Sequence, residues 1–117
     1  MNPKPTNWPD LPSDNPIPLL NRQKLTAENI LAARVSLEKG CVVARHQHVS
    51  EQVALQLSGH TRWQVGPDGE EETFDMVGEQ VLHLPSNLRH GVVALEDTVI
   101  LDILSPPGAM GVDSQES

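Results

Sequence analysis

The sequence predicts a single all-β domain, a barrel or jelly roll. Three observations carry that expectation. Short runs rich in Val, Leu and Ile recur at regular spacing through residues 19–104. Turn chemistry separates them, at Glu38-Lys39-Gly40, Ser58-Gly59-His60 and Gly66-Pro67-Asp68-Gly69. No segment sustains a helical period over three turns, and Ile30, Val35 and Leu37 pull the nearest candidate, 25–33, towards strand. At 117 residues the chain is long enough for one core and too short for two.

The elements follow in order. Residues 1–18 hold six of the ten prolines, which excludes a helix or a central strand. Trp8 and Ile17 give this arm something to bury, so partial docking is expected, on a sheet of its own chain or on a second protomer. The other reading is a free tail. Residues 19–107 form the barrel, with strands expected at 19–25 (the weakest), 29–37, 41–48, 52–57, 61–65, 71–76, 80–84, 91–95 and 98–104. The highly charged 71–76 suits a sheet edge, where charge discourages aberrant pairing. Pro106-Pro107-Gly108 ends the series, and 108–117 is a polar tail expected to be flexible.

Composition sets limits on partners. A net charge of -8 argues against nucleic acid, since phosphate binding needs clustered Lys and Arg. No apolar run spans a membrane and no signal-peptide h-region is visible. The lone Cys41 excludes an intramolecular disulfide, and it fits a cytoplasmic protein with a buried, inert thiol.

Chemistry concentrates in residues 40–59. His46 and His48 stand two apart in an alternating run, so on a strand both imidazoles project from one face. Two such histidines make half of a first-row metal site. Gln52 and the distant His90 are the candidates to complete it, with Glu51 the alternative to Gln52; strand neighbours face opposite ways, so without a bulge only one of the two can reach the metal. Parity groups Gln52 with Ala54 and Gln56 on one face and Val53 with Leu55 and Leu57 on the other. Both faces then need cover, which suits a two-sheet sandwich packed against a partner chain, a homodimer.

Two motifs extend this reading to a resemblance. Gly40-x5-His46-x-His48-x3-Gln52-x6-Gly59 is similar to the first motif of the cupins, and Gly78-x6-Pro85-x-Asn87-x2-His90 to the second. The resemblance implies a double-stranded β-helix holding one divalent metal through His46, His48, Gln52 and His90. Imidazole ligation suits Zn, Ni, Fe, Mn or Cu. Gln52 stands where a carboxylate is usual, and Asn87 where Gly is usual, Asn being the residue that next best tolerates positive φ. The gap from Gly78 to Pro85 is one residue longer than the commonest pattern, and the Asn usual after the last His is absent.

The string Ala94 to Pro107 (A-L-E-D-T-V-I-L-D-I-L-S-P-P) resembles small single-domain cupins of pectin degradation, which convert 4,5-unsaturated uronates to their ketonised form. That resemblance makes Asp102 the catalytic candidate, on one strand face with Ile100 and Leu104. Leu104 replaces the subgroup's aromatic, and Gly108 replaces its Arg, the natural clamp for a uronate carboxylate. Gln56, His83 and Leu104 are the candidate substrate contacts, although His83 also reads as a satisfied sheet histidine. Three functions remain open: metal-assisted proton transfer on a small oxygenated, sugar acid-like substrate; a metal-dependent dioxygenase; and a non-catalytic binder of a small ligand.

Overall fold

The computed structural model describes residues 2–114. Ten antiparallel strands form two facing sheets: β1 (Ser13–Asp14), β2 (Leu20–Thr26), β3 (Leu31–Leu37), β4 (Val42–His46), β5 (Glu51–Ser58), β6 (His60–Val65), β7 (Glu72–Val77), β8 (Gln80–Leu84), β9 (His90–Ala94) and β10 (Thr98–Ser105). The larger sheet runs β1-β2-β3-β10-β5-β8 and the smaller β4-β9-β6-β7. The chain crosses between sheets repeatedly, so strands distant in sequence lie side by side. That is the jelly-roll arrangement expected from the strand spacing.

Every strand expected from 19 to 104 is present within a few residues. The charged β7 is indeed an edge. Asn87 takes φ 63°, and its N–H bonds to the His48 carbonyl at 2.8 Å, so the turn before β9 is tied to the loop after β4. The core lies between the sheets, with Ala33, Val35, Ala54, Leu84, Ile100 and Leu104 from the larger and Val43, Trp63, Met76 and Ala94 from the smaller.

Described segments before and after the barrel strands pack on it. The N-terminal arm pairs β1 with β2, Ser13 opposite Gln23 and Asp14 opposite Arg22, and Ile17 is buried. Gln23 Nε2 donates to the Trp8 carbonyl at 2.8 Å. Part of 108–117, the tail expected to be flexible, packs on the barrel in its described residues. Met110, Gly111 and Val112 are buried, and Gly111–Ser114 forms a 3₁₀ turn. An apolar Met-Gly-Val step inside a polar stretch is enough to seat the segment once a cavity mouth exists to receive it. Residues 115–117 lie outside the described part of the chain.

Candidate metal centre

The centre is built from both sheets. His46 ends β4 and pairs in register with His90, the first residue of β9, after an irregularity that follows Val43. His48 lies two residues past the end of β4, in the connection to β5, rather than on the strand as expected. It is held there by its own ring, whose Nδ1 bonds to the Ser50 carbonyl at 2.8 Å. Ser50 in turn donates from Oγ to the Pro106 carbonyl at 2.5 Å, which anchors the loop to the end of β10. The three imidazoles converge with ring centroids 4.3–5.6 Å apart, and their donor nitrogens lie within 4.8 Å of one another.

The tautomers follow from the hydrogen bonds. Nδ1 of His46, His48 and His90 each lies 2.8 Å from a backbone carbonyl, of Ala44, Ser50 and Leu88 respectively. A carbonyl can only accept, so Nδ1 carries the proton and each neutral ring directs the Nε2 lone pair inward. Burial favours the neutral form: it lowers the pKa of His46, and it brings His90 down to about 4.

Gln52 completes the set from the opposite sheet. Its Nε2 donates to Asp102 Oδ1 at 2.9 Å, which turns Oε1 towards His48 Nε2, 3.1 Å away. Two lone pairs thus face each other, an arrangement a cation between them relieves. Three imidazole nitrogens and one amide oxygen are neutral donors suited to a divalent first-row ion, so these residues fit such a metal. Glu51 points to the outer face, where its Oε1 meets His83 Nε2 at 2.7 Å, both side chains more than half exposed. Of the two, Gln52 is therefore the one that faces the histidines.

Beneath the histidines is a cavity of about 50 Å³, lined by His46, Gln52, His90 and Asp102 together with apolar side chains that include Leu20, Val35, Trp63 and Ile100. Asp102 is the single acid in this lining. Burial pushes its carboxyl up to about 7, against the opposing effect of the Gln52 hydrogen bond. Asp102 shares the inward face of β10 with Ile100 and Leu104, as parity predicted.

The candidate substrate contacts fare differently. His83 is corrected, because it projects from the outer face of β8, opposite Val53, away from the cavity. Gln56 points inward, but its polar atoms are engaged elsewhere. Its Oε1 accepts from Thr61 Oγ1 at 2.6 Å and its Nε2 donates to the Met76 carbonyl at 3.0 Å. Thr61 in turn receives Trp63 Nε1 at 2.9 Å, so Gln56 is part of a satisfied core network. Leu104 is wholly buried in the core and does not line the cavity. Residues the sequence reading passed over do line it: Met110, Gly111 and Val112, from the segment assigned to the tail.

No protein-family pattern and no curated protein matches the chain by sequence. Solved structures do match in three dimensions. KdgF from Halomonas sp. aligns over 86% of this chain and 92% of its own, with 23% identity and a TM-score of 0.76. An RmlC-like cupin from Shewanella frigidimarina aligns over 87% and 89%, with 21% identity and a TM-score of 0.76. Oxalate decarboxylase from Bacillus subtilis, whose Mn(II) centres have been characterised, aligns over 93% of this chain and 32% of its own, with 18% identity and a TM-score of 0.78. Strand order, facing sheets and these alignments together give the chain the fold of the RmlC-like cupins.

Proposed function

We propose that this chain is a metal-binding cupin that moves a proton on a small oxygenated substrate, with Asp102 as the proton-transferring group. The observation that carries the reading is the path from His48 through Gln52 to Asp102. One amide holds an oxygen towards the three imidazoles and an N–H towards the only carboxyl in the cavity. His46, His48, His90 and Gln52 would hold a divalent ion there, which would supply Lewis acidity to a substrate oxygen. The neutral ligands His46, His48, His90 and Gln52 leave the charge of that ion undiminished. Asp102, oriented by Gln52 and shielded from water by Leu20, Val35 and Ile100, accepts or returns the proton.

The decisive comparison is Asp102→Asn beside the parent, each assayed for metal content and for isomerisation of small keto and hydroxy acids. Retained metal with turnover reduced by about 10²-fold or more is the expected result. Full turnover in the variant removes Asp102 from the mechanism. Oxygen consumption by the parent loaded with Fe or Mn favours the dioxygenase reading instead. Turnover of nothing, with a ligand-dependent rise in melting temperature, favours the non-catalytic binder.

The protein is also proposed to act as a homodimer. Val53, Leu55, Val81, Leu101 and Ile103 form a contiguous apolar patch across β5, β8 and β10 on the outer face of the larger sheet, by the register Ile103–Val53 and Leu101–Leu55–Val81. Arg34 on β3 and Glu51 on β5 border it with opposite charges, which suits a second copy of the same face.

A further inference from the structure

We infer that residues 108–114 are a latched strap that gates the metal cavity, with Asp113 on Arg22 as the latch. This rests on the metal-centred site proposed above and concerns how that site is reached. The strap leaves the barrel after β10, at Pro106-Pro107-Gly108, and makes no strand pairing. Met110 and Val112, 7% and 6% exposed, enter the cavity lining from the same side as His46. Gly111 between them packs directly on the His46 imidazole, and a Cβ at this position would collide with Nε2, Cδ2 and Cε1 of the ring. Only glycine lets the backbone come this close.

The latch lies one residue further on. Arg22 is 2% exposed, and its guanidinium is shared by two carboxylates. It donates to Asp14 at 3.0 and 2.7 Å and to Asp113 at 3.0 and 2.8 Å, bidentate to each. Asp113 also accepts the Met110 N–H at 2.8 Å, so one carboxylate closes the turn and ties it to β2. The strap thus has a proline–glycine exit, an apolar plug and a single ionic anchor. The Asp113 side chain keeps 30% of its surface in water, which lowers the barrier to release relative to a fully buried pair.

With the strap seated, about 50 Å³ of cavity remains beside the half-buried His46 ring. Ligand sites for small molecules run to roughly 300 Å³ or more, so this space holds a few waters and no sugar acid. Displacing Met110, Gly111 and Val112 opens the cavity on the side of His46, where a ligand of that size would meet the imidazoles and Asp102 together.

The test reads exposure of His46 in the metal-free protein, by the rate of its carbethoxylation with diethyl pyrocarbonate resolved by peptide mass mapping. Asp113→Asn, Gly111→Ala and a chain ending at Pro107 are each expected to label His46 at least tenfold faster than the parent. Asp14→Asn breaks the other half of the Arg22 contact and is expected to change the rate by less than threefold. Equal rates in the parent and in all three strap variants overturn the proposal. So does an Asp14→Asn rate matching that of Asp113→Asn, which marks general loosening of the barrel. Metal content of the parent is measured separately: absence of uptake sinks the metal reading, while the His46 rates still decide the strap.

Discussion

The two faces of β5 invert the usual order of a half-solvated sheet. Inward lie Gln52, Ala54 and Gln56, and outward lie Val53, Leu55 and Leu57; the neighbouring β10 sets Asp102 inward between Ile100 and Leu104, and Leu101 and Ile103 outward. A strand with one face in water normally turns its polar residues out. Here the inner polar groups have partners: Gln52 donates to Asp102 and turns its Oε1 to the histidines, and Gln56 is held by Thr61 and Met76. The outer aliphatics Val53, Leu55, Leu101 and Ile103 are only half-buried among the described residues. An interior can therefore be polar when each group has a partner, and an apolar exterior then identifies where another molecule belongs.

The largest break in this contrast comes from the inner side. Replacing His48 or His90 with alanine is expected to reduce bound metal from about one per chain to less than a tenth, measured by elemental analysis of protein prepared without chelator. Stoichiometric metal in either variant places the ion elsewhere. Gln52→Ala is the next largest, with affinity weakened by about 10–100-fold in a chelator competition. Glu51→Ala, its immediate neighbour on the outer face, is expected to leave affinity unchanged. If the two variants exchange roles, the strand faces the other way.

On the outer face, Leu55→Lys is expected to weaken self-association by roughly 30-fold, a hot-spot loss of about 2 kcal/mol, with metal content unaltered. Sedimentation equilibrium across a concentration series checks it, and a parent that remains monomeric removes the dimer. A smaller effect belongs to the latch. The Arg22 hydrogen bonds hold the carboxyls of Asp14 and Asp113 below the usual Asp value of 3.8. Their folded pKa values are depressed, so the stability they contribute is complete above 3.8 and is lost as pH falls through the lowered values. Thermal melting between pH 5 and pH 2 is expected to show a shallower acid decline in Asp113→Asn than in the parent. The difference is under about 1 kcal/mol, because both carboxylates are partly in water. The smallest expected effect is that of Glu51→Gln, which breaks the exposed pair with His83 and shifts stability by less than about 0.5 kcal/mol.

Period-2 alternation and turn chemistry were enough to read nine of the ten strands, because both are local. The two-residue β1 was not legible: Ser13–Asp14 has no strand character until Arg22 and Gln23 lie opposite it. The four residues gathered at the candidate metal centre were legible through spacing and motif. Their supporting bonds were not, since the Ser50, Leu88 and Ala44 carbonyls act through backbone geometry that any residue can supply. His83 and Leu104 show the limit of parity. Parity says which residues share a face, but it does not say which face meets the cavity or how deep along the strand the cavity ends.

By itself, then, the amino-acid sequence determined the all-β architecture, the histidine set and the pairing of Asp102 with Ile100 and Leu104 on one strand face. The first and last rest on spacing along a strand or across a turn, and the histidine set rests on the two motifs that resemble those of a known family. Tertiary structure alone decided that Gln52 rather than Glu51 faces the histidines, that Gln56 is held within the core, and that residues 108–114 lie over the cavity. These outcomes depend on contacts between segments as far apart as Arg22 and Asp113, which are joined only in the folded barrel.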